Sequence, residues 1–278
     1  ERHQGHFFNW YDTQSLKPLP PLYISSVDSG NLAGHLLTLR PGLLGLADHP
    51  VLGTQWFEGL SDTLRIAMDH AVASPAEAVP EGYAPARLSQ LLQDLESAVR
   101  SPPTTLRALR QCLDQLSTSA AVAFAGVEAL DADPGDQLRW WTHAFARQCR
   151  DALDELTFLA PWTERLSVQD RFGDFTDLDE IPTLSELATL DAKLLPAIER
   201  QLSSAPAPEE RARLVELQRL VTEGSRHART RIAAINGLAL LSDALARMEY
   251  DFLFDATRHL LAIGYNVGER RRDSSYYD

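Results

Sequence analysis

Apolar residues recur at helical spacing through most of the stretch from residue 55 to residue 250, and this commits the body of the chain to helices. Trp56, Phe57, Leu60, Leu64, Ala67, Met68 and Ala71 form one 3.6-residue stripe between Gln55 and Ala73, ended by Pro75 and Pro80. Leu88, Leu91, Leu92, Leu95 and Val99 repeat it up to Pro102-Pro103. Thr104 or Thr105 then caps a helix carrying Leu106, Leu109, Leu113 and Leu116, which is long enough to run on through Ala120–Ala129. Asp131-Ala132-Asp133-Pro134-Gly135 reads as a break. Asp136 to Leu159 is the next helix, and a polar, acidic connection follows over 161–183. Thr183 with Glu186 three residues on is a capping-box pattern for a helix to about Ser203. From Glu209 to Tyr250 the periodicity hardly stops. One helix of that length would be ~63 Å long, so a break near Gly224-Ser225 is expected, a single long helix being the alternative. The total is about seven helices.

The two ends are of another kind. His6-Phe7-Phe8-Asn9-Trp10-Tyr11 is aromatic and extended in character, Pro18, Pro20 and Pro21 hold the next stretch away from helix, and Leu22–Ser25 reads as a short strand before a helix over Leu32–Leu39. Residues 251–255 and 260–265 read as a hairpin around Ala256-Thr257-Arg258. Charge follows the same division. Residues 1–41 are neutral, 250–278 carry a net of −1, and 42–249, with 19 basic and 31 acidic side chains, carry −12 of the total of −13. The expected organisation is therefore a motif-bearing segment over 1–41, an acidic helical region over 42–249 and a further motif-bearing segment over 250–278. The fold class is mainly α, a helical bundle or part of an α/α toroid with short β segments near both ends.

The charge argues against a general nucleic-acid binder, since phosphate contacts need a basic face. Cys112 and Cys149 are too few for a disulfide scaffold or a four-cysteine zinc site and read as small hydrophobes in helices. No apolar run reaches ~18 residues, so no membrane contact is expected from this segment. His3 and His6 come without a third ligand, and no cofactor loop of the Walker or Gly-x-Gly-x-x-Gly kind occurs, so neither metal nor cofactor is expected. Asp170, Asp174, Asp177, Asp179 and Glu180 lack the spacing and glycine of a calcium loop and read as a solvated acidic loop. Trp140-Trp141 reads as core packing, with a sugar platform as the sharper alternative.

Two runs carry more chemistry. Asp28-Ser29-Gly30-Asn31-Leu32-Ala33-Gly34-His35 sets short polar groups and two glycines between strand and helix, with Asp28 or Ser29 as the expected N-cap. Its functional reading is a polar pocket floor with Trp10 and Tyr11 nearby. The run Tyr265–Asp278 interleaves aromatics, amides, acids and arginines. Carbohydrate sites need that mixture, because sugar ring faces stack on aromatics and hydroxyls need charged or amide partners, although a surface turn with a basic tip is also consistent with it.

Both runs resemble a known family. His6–Thr13 with Leu19–Gly34 is similar to the middle region of cyclic β-1,2-glucan synthases. Asp251–Asp255, Ile263–Asn266 and Arg272–Asp278 resemble the opening of the glycoamylase-like domain in the same proteins. The resemblance implies a part of a very large inner-membrane enzyme, lying on the cytoplasmic side. In such enzymes a glycosyltransferase extends the glucan from UDP-glucose. A middle (α/α)6 module closes it by transglycosylation, and a phosphorylase-like module trims it. The partners implied are the β-1,2-glucan chain and other domains of the same polypeptide. Substrate-contacting residues implied are Trp10, Tyr11, Asp28, Asn31, Tyr265, Asn266, Arg272, Asp273, Tyr276 and Tyr277. Retaining transglycosylation needs two carboxyl groups, one attacking the anomeric carbon and one serving as acid and then base. In the family pattern the glutamate-bearing segments follow the residues matched here, so Asp28, Glu269 and Asp273 are only fallback candidates. Two other readings stand beside this one: a non-catalytic helical scaffold linking transferase and hydrolase-like domains, and a β-1,2-glucan hydrolase.

Overall fold

The computed structural model describes residues 1–73, 85–124, 137–164 and 175–276, and among these the chain is mainly α, with seven helices and five short antiparallel strands. It divides into two compact units, one made of Glu1–Ala47 with Ile232–Asp278, the other of Asp48–Arg231.

The second unit is a bundle of amphipathic helices: α2 (Thr54–Ala73), α3 (Pro85–Arg100), α4 (Leu106–Phe124), α5 (Gln137–Leu159), α6 (Leu184–Ser203) and the first part of α7 (Pro208–Ala246). The apolar stripes read from the sequence are its core: Phe57, Leu60 and Leu64, then Leu88, Leu91 and Leu95, then Leu106, Leu109 and Leu113 are all essentially inaccessible. Burial of such side chains stabilises by roughly 1.5–3 kcal/mol each before chain entropy is set against it. The expected caps form. Thr105 Oγ1 accepts from Ala108 N at 3.2 Å and starts α4. Thr183 Oγ1 accepts from Glu186 N while Glu186 Oε2 accepts from Thr183 N, which completes the capping box of α6. Cys149 is buried, and burial pushes its thiol up to about 12, so it behaves as a small hydrophobe. Trp140 departs from the expected core packing: it is 57% exposed and meets the half-buried Trp141 edge-on, because adjacent residues of a helix point about 100° apart. The ends predicted for α4 beyond Phe124 and the break at Asp131–Gly135 lie outside the described residues, as do Asp170 and Asp174. In the acidic connection Asp177 pairs with Lys193 at 2.8 Å, and Asp179 accepts from Arg107 N at 3.0 Å.

The break expected near Gly224-Ser225 does not occur; α7 is one helix of 39 residues, about 58 Å long. Its glycine serves close approach instead. A Cβ at Gly224 would stand 2.7 Å from Leu159 O and 2.8 Å from Trp162 Cζ3. The buried Ser225 hydroxyl accepts from Asp191 N at 3.0 Å, and Arg229 grips both oxygens of Asp191, holding that carboxyl below the usual carboxylate range. Gly224→Ala is therefore expected to destabilise the 48–231 unit by about 1–3 kcal/mol despite the higher helix propensity of alanine. A urea midpoint equal to or above that of the parent chain would contradict the close-approach reading.

The first unit contains strand β1 (Tyr23–Ser25), helix α1 (Ser26–Gly45), the 232–246 part of α7, and strands β2 (Phe254–Asp255), β3 (Leu260–Leu261), β4 (Gly264–Asn266) and β5 (Arg271–Arg272). The predicted hairpin forms between β2 and β3, with Asp255 Oδ1 accepting from Thr257 N and Arg258 N in its turn. The N-cap of α1 is Ser25, not Asp28 or Ser29. Ser25 Oγ accepts from Asp28 N at 3.2 Å, which places the Asp28–His35 run inside the helix. Strand and helix abut with no turn between them. No described helix is long and apolar enough to cross a membrane.

Candidate functional site

Two segments more than two hundred residues apart build one surface in the first unit. β1 pairs antiparallel with β4, Tyr23 opposite Asn266, Ile24 opposite Tyr265 and Ser25 opposite Gly264, and β4 pairs in turn with β5. The β1–β4 register brings the Tyr23 ring over Gly264, where any Cβ would overlap the ring and approach Ile24 O to 2.7 Å. Tyr23 Oη then donates to Asp273 Oδ2 at 2.5 Å, a bond to a charged acceptor between the two motif-bearing ends. Trp10 lies beside Tyr23, ring centroids 6.2 Å apart, and is 48% exposed. Asn9 fixes this arrangement, since its backbone N–H donates to Tyr23 O and its side-chain oxygen accepts from Ser25 N.

The candidate residues divide by what their polar atoms already do. Tyr11 Oη accepts from Phe8 N at 3.0 Å and donates to Glu1 O at 2.8 Å, so its hydroxyl braces the N-terminal loop. Asp28 and Asn31 stand exposed in the first turns of α1. Tyr265 packs edge-on against Phe252 and faces the His3 ring. Asn266 Oδ1 accepts from Glu269 N, and Glu269 pairs with Arg271 at 2.8 Å. The Arg272 guanidinium donates to Phe254 O. Tyr276 Oη donates to Asp255 Oδ2 at 2.7 Å, which with the Thr257 and Arg258 amides holds the Asp255 carboxyl below its usual range and pushes the Tyr276 phenol up. Arg258 sits over the Tyr276 ring, 4.7 Å from its centroid. Tyr277 lies outside the described residues. Free for an external ligand by this account are the Trp10 face, Asp28, Asn31 and the remaining acceptor positions of Asp273.

His6, weighed in the sequence only as half of a metal pair with His3, is the most enclosed polar side chain of this unit. Nε2 stands 2.7 Å from Glu249 O and Nδ1 stands 2.8 Å from Ser29 Oγ. A carbonyl only accepts, so Nε2 carries a proton; in the neutral ring Nδ1 then accepts from the Ser29 hydroxyl. Burial lowers the pKa, partly opposed by the bond to Glu249 O. Tyr250 and Phe252 close the ring in edge-on. Its partners lie 23 and 243 residues away, so no local signal could have found the pair. Asp255 and Tyr23 were missed for the same reason.

Among the described residues no group of three or more His, Cys, Asp or Glu is placed to hold a metal ion. No family model matches the chain. A curated protein does: cyclic β-(1,2)-glucan synthase NdvB of Rhizobium meliloti (strain 1021) is 27% identical over 281 aligned positions, which take in 100% of this chain. The chain spans 8% of that relative's length. The agreement extends through the acidic helices as well as the two end runs, so along its entire length this chain is related in sequence to one region of a cyclic β-(1,2)-glucan synthase.

Proposed function

We propose that this chain is a region of a membrane-anchored cyclic β-1,2-glucan synthase, within the glycoamylase-like module that closes the glucan by transglycosylation on the cytoplasmic side of the inner membrane. Its paired end segments form a surface that contacts the β-1,2-glucan. The observation that carries this reading is the β1–β4 pairing with its Tyr23–Asp273 bond, which unites the two carbohydrate-like runs in one unit. An exposed indole beside exposed carboxylate and amide groups suits a sugar, whose C–H faces stack while its hydroxyls hydrogen-bond. In this reading Trp10 is the stacking face, and Asp28, Asn31 and Asp273 orient hydroxyls. Tyr11, Arg272 and Tyr276 hold the surface in shape. The parent polypeptide is the enzyme, and its acid pair belongs to segments other than those described here.

A β-1,2-glucan oligomer at millimolar concentration is expected to shift amide resonances of residues 6–31 and 265–276, and Trp10→Ala to weaken that binding about tenfold, the loss of roughly 1.4 kcal/mol from one stacking contact. Resonances that stay put would remove the glucan surface from consideration. For residues 48–231 a second reading is favoured by their content: they hold none of the proposed contact residues and carry 18 basic against 29 acidic side chains. We assign that unit the role of a helical connector to neighbouring domains.

A further inference from the structure

Helix α1 carries one polar face. At about 100° per residue, Asp28, Asn31, His35 and Thr38 fall within an arc of about 80°. All four are exposed. Leu32 and Leu39, also exposed, border the arc on one side. From Asp28 to Thr38 the stripe runs about 15 Å along the helix axis. Its first end is anchored on the strand surface, because Ser25, the last residue of β1, caps the turn that holds Asp28.

This face differs in kind from the solvated faces elsewhere in the chain. On α7 Arg219 pairs with Glu216 and Glu223, and Arg65 of α2 pairs with Glu96 of α3. α1 contains no lysine, glutamate or glutamine. Asparagine, histidine and threonine are weaker helix formers than those residues, so helix propensity does not account for their place here. What they share is hydrogen-bond polarity. His35 Nδ1 stands 2.7 Å from Asn31 O. A carbonyl only accepts, so Nδ1 carries the proton, and in the neutral ring Nε2 is a bare acceptor. Nε2 has no partner among the described residues. Thr38 Oγ1 donates its hydrogen to Gly34 O at 2.9 Å and keeps only lone pairs to offer. The Asp28 carboxylate adds two more acceptor oxygens, and Asn31 alone still has side-chain hydrogens to give.

A row of acceptors selects its ligand. A phosphate diester or a carboxylate brings no donors, and its charge is repelled by Asp28. A chain of sugar hydroxyls brings one donor after another, and bordering leucines suit the C–H faces between them. We infer that the Asp28–Thr38 face of α1 extends the glucan-contacting surface, so that a β-1,2-glucan longer than a disaccharide lies along this helix and a hydroxyl donates to His35 Nε2. The inference rests on the glucan reading proposed above, and it adds His35 and Thr38 to the contacts of that reading.

The test compares the disaccharide with a longer linear β-1,2-glucan oligomer, titrated into this 278-residue chain and followed by NMR. The longer oligomer is expected to shift the His35 ring Nε2 resonance, whereas the disaccharide shifts only residues at the Trp10–Asp28 end. The gain in affinity from disaccharide to longer oligomer should shrink about threefold to tenfold in His35→Leu, the loss of one hydrogen bond, and return in part in His35→Gln, which offers an acceptor. A merely structural role for His35 would weaken both ligands alike and leave that ratio unchanged, and this result overturns the inference. Shifts at Trp10 and Asp273 with an unmoved His35 ring also overturn it, while the glucan surface itself stands. If neither ligand moves any resonance, both readings fall. The ring resonance is read in the unsubstituted chain, so a poorly folding variant does not spoil the test.

Discussion

Replacing His6 by alanine is expected to cost the first unit about 2–4 kcal/mol, because it removes a fully buried ring and takes the partner from the buried Ser29 hydroxyl and from the Glu249 carbonyl at once. The Ser29 hydroxyl, on a buried residue, and the Glu249 carbonyl each lose their bond to the imidazole. Asparagine or glutamine, which carry both a donor and an acceptor, are expected to restore part of the loss. The wild-type residue also brings a pH dependence. Its folded pKa lies below the unfolded value of about 6.5, so the unfolded chain binds the proton more readily. Stability from this group is thus complete above about pH 6.5 and declines as pH falls from there toward the folded pKa. The charged neighbours push in both directions, His3 lowering the pKa further and Glu249 raising it. Urea unfolding between about pH 5 and about pH 7.5 should show this slope in the parent chain and a shallower one in His6→Gln. Equal slopes in both would mean that His6 is not the group responsible.

Gly264→Ala is expected to be as damaging, by about 2–4 kcal/mol, although it adds a single methyl group. The Cβ would fall inside the Tyr23 ring and close on Ile24 O, so β1 and β4 cannot keep their present separation. The ring cannot simply swing aside, because its hydroxyl is tied to Asp273. Loss of β1–β4 pairing separates the two motif-bearing segments, so glucan binding should fall together with stability. Tyr23→Phe provides the contrast: it keeps the ring and removes only the hydroxyl, and should cost about 1–2 kcal/mol through the unpartnered carboxylate. If Gly264→Ala left the β4 amides protected from hydrogen exchange, the close packing of ring on glycine would be wrong.

How much of this was readable in advance depends on the distance over which each feature is decided. The stripes at Phe57-Leu60-Leu64 and Leu106-Leu109-Leu113 announce their helices, because the same 3.6-residue period that makes a helix also makes its buried face. The Thr183–Glu186 box and the Asp255 turn are equally local, each satisfied within three residues. Gly224 misleads for the opposite reason. Glycine does weaken helices, but the tight approach of Leu159 O and Trp162 that requires it lies some sixty residues away. The cap of α1 moved to Ser25 because the strand it ends is positioned by β4, which no local rule contains.

The candidate site shows the same boundary. The end runs stood apart in the sequence by their mixture of aromatics, amides and acids. Which of those groups are spent inside the protein was not: Tyr11 on Glu1, Tyr276 on Asp255 and Arg272 on Phe254 are pairings that composition cannot reveal. By itself, then, the sequence determined the helical body, its acidic character, the caps at Thr105 and Thr183 and the distinct composition of the two end runs, since periodicity and short-range hydrogen bonding act within a few residues. Only the tertiary structure decided that residues 23–25 meet 264–266, that His6 is sealed between Ser29 and Glu249, and that the Gly224 helix runs unbroken. Those outcomes depend on strand register and close packing between segments far apart in the chain, where a pairing energy exists only once both partners are in place.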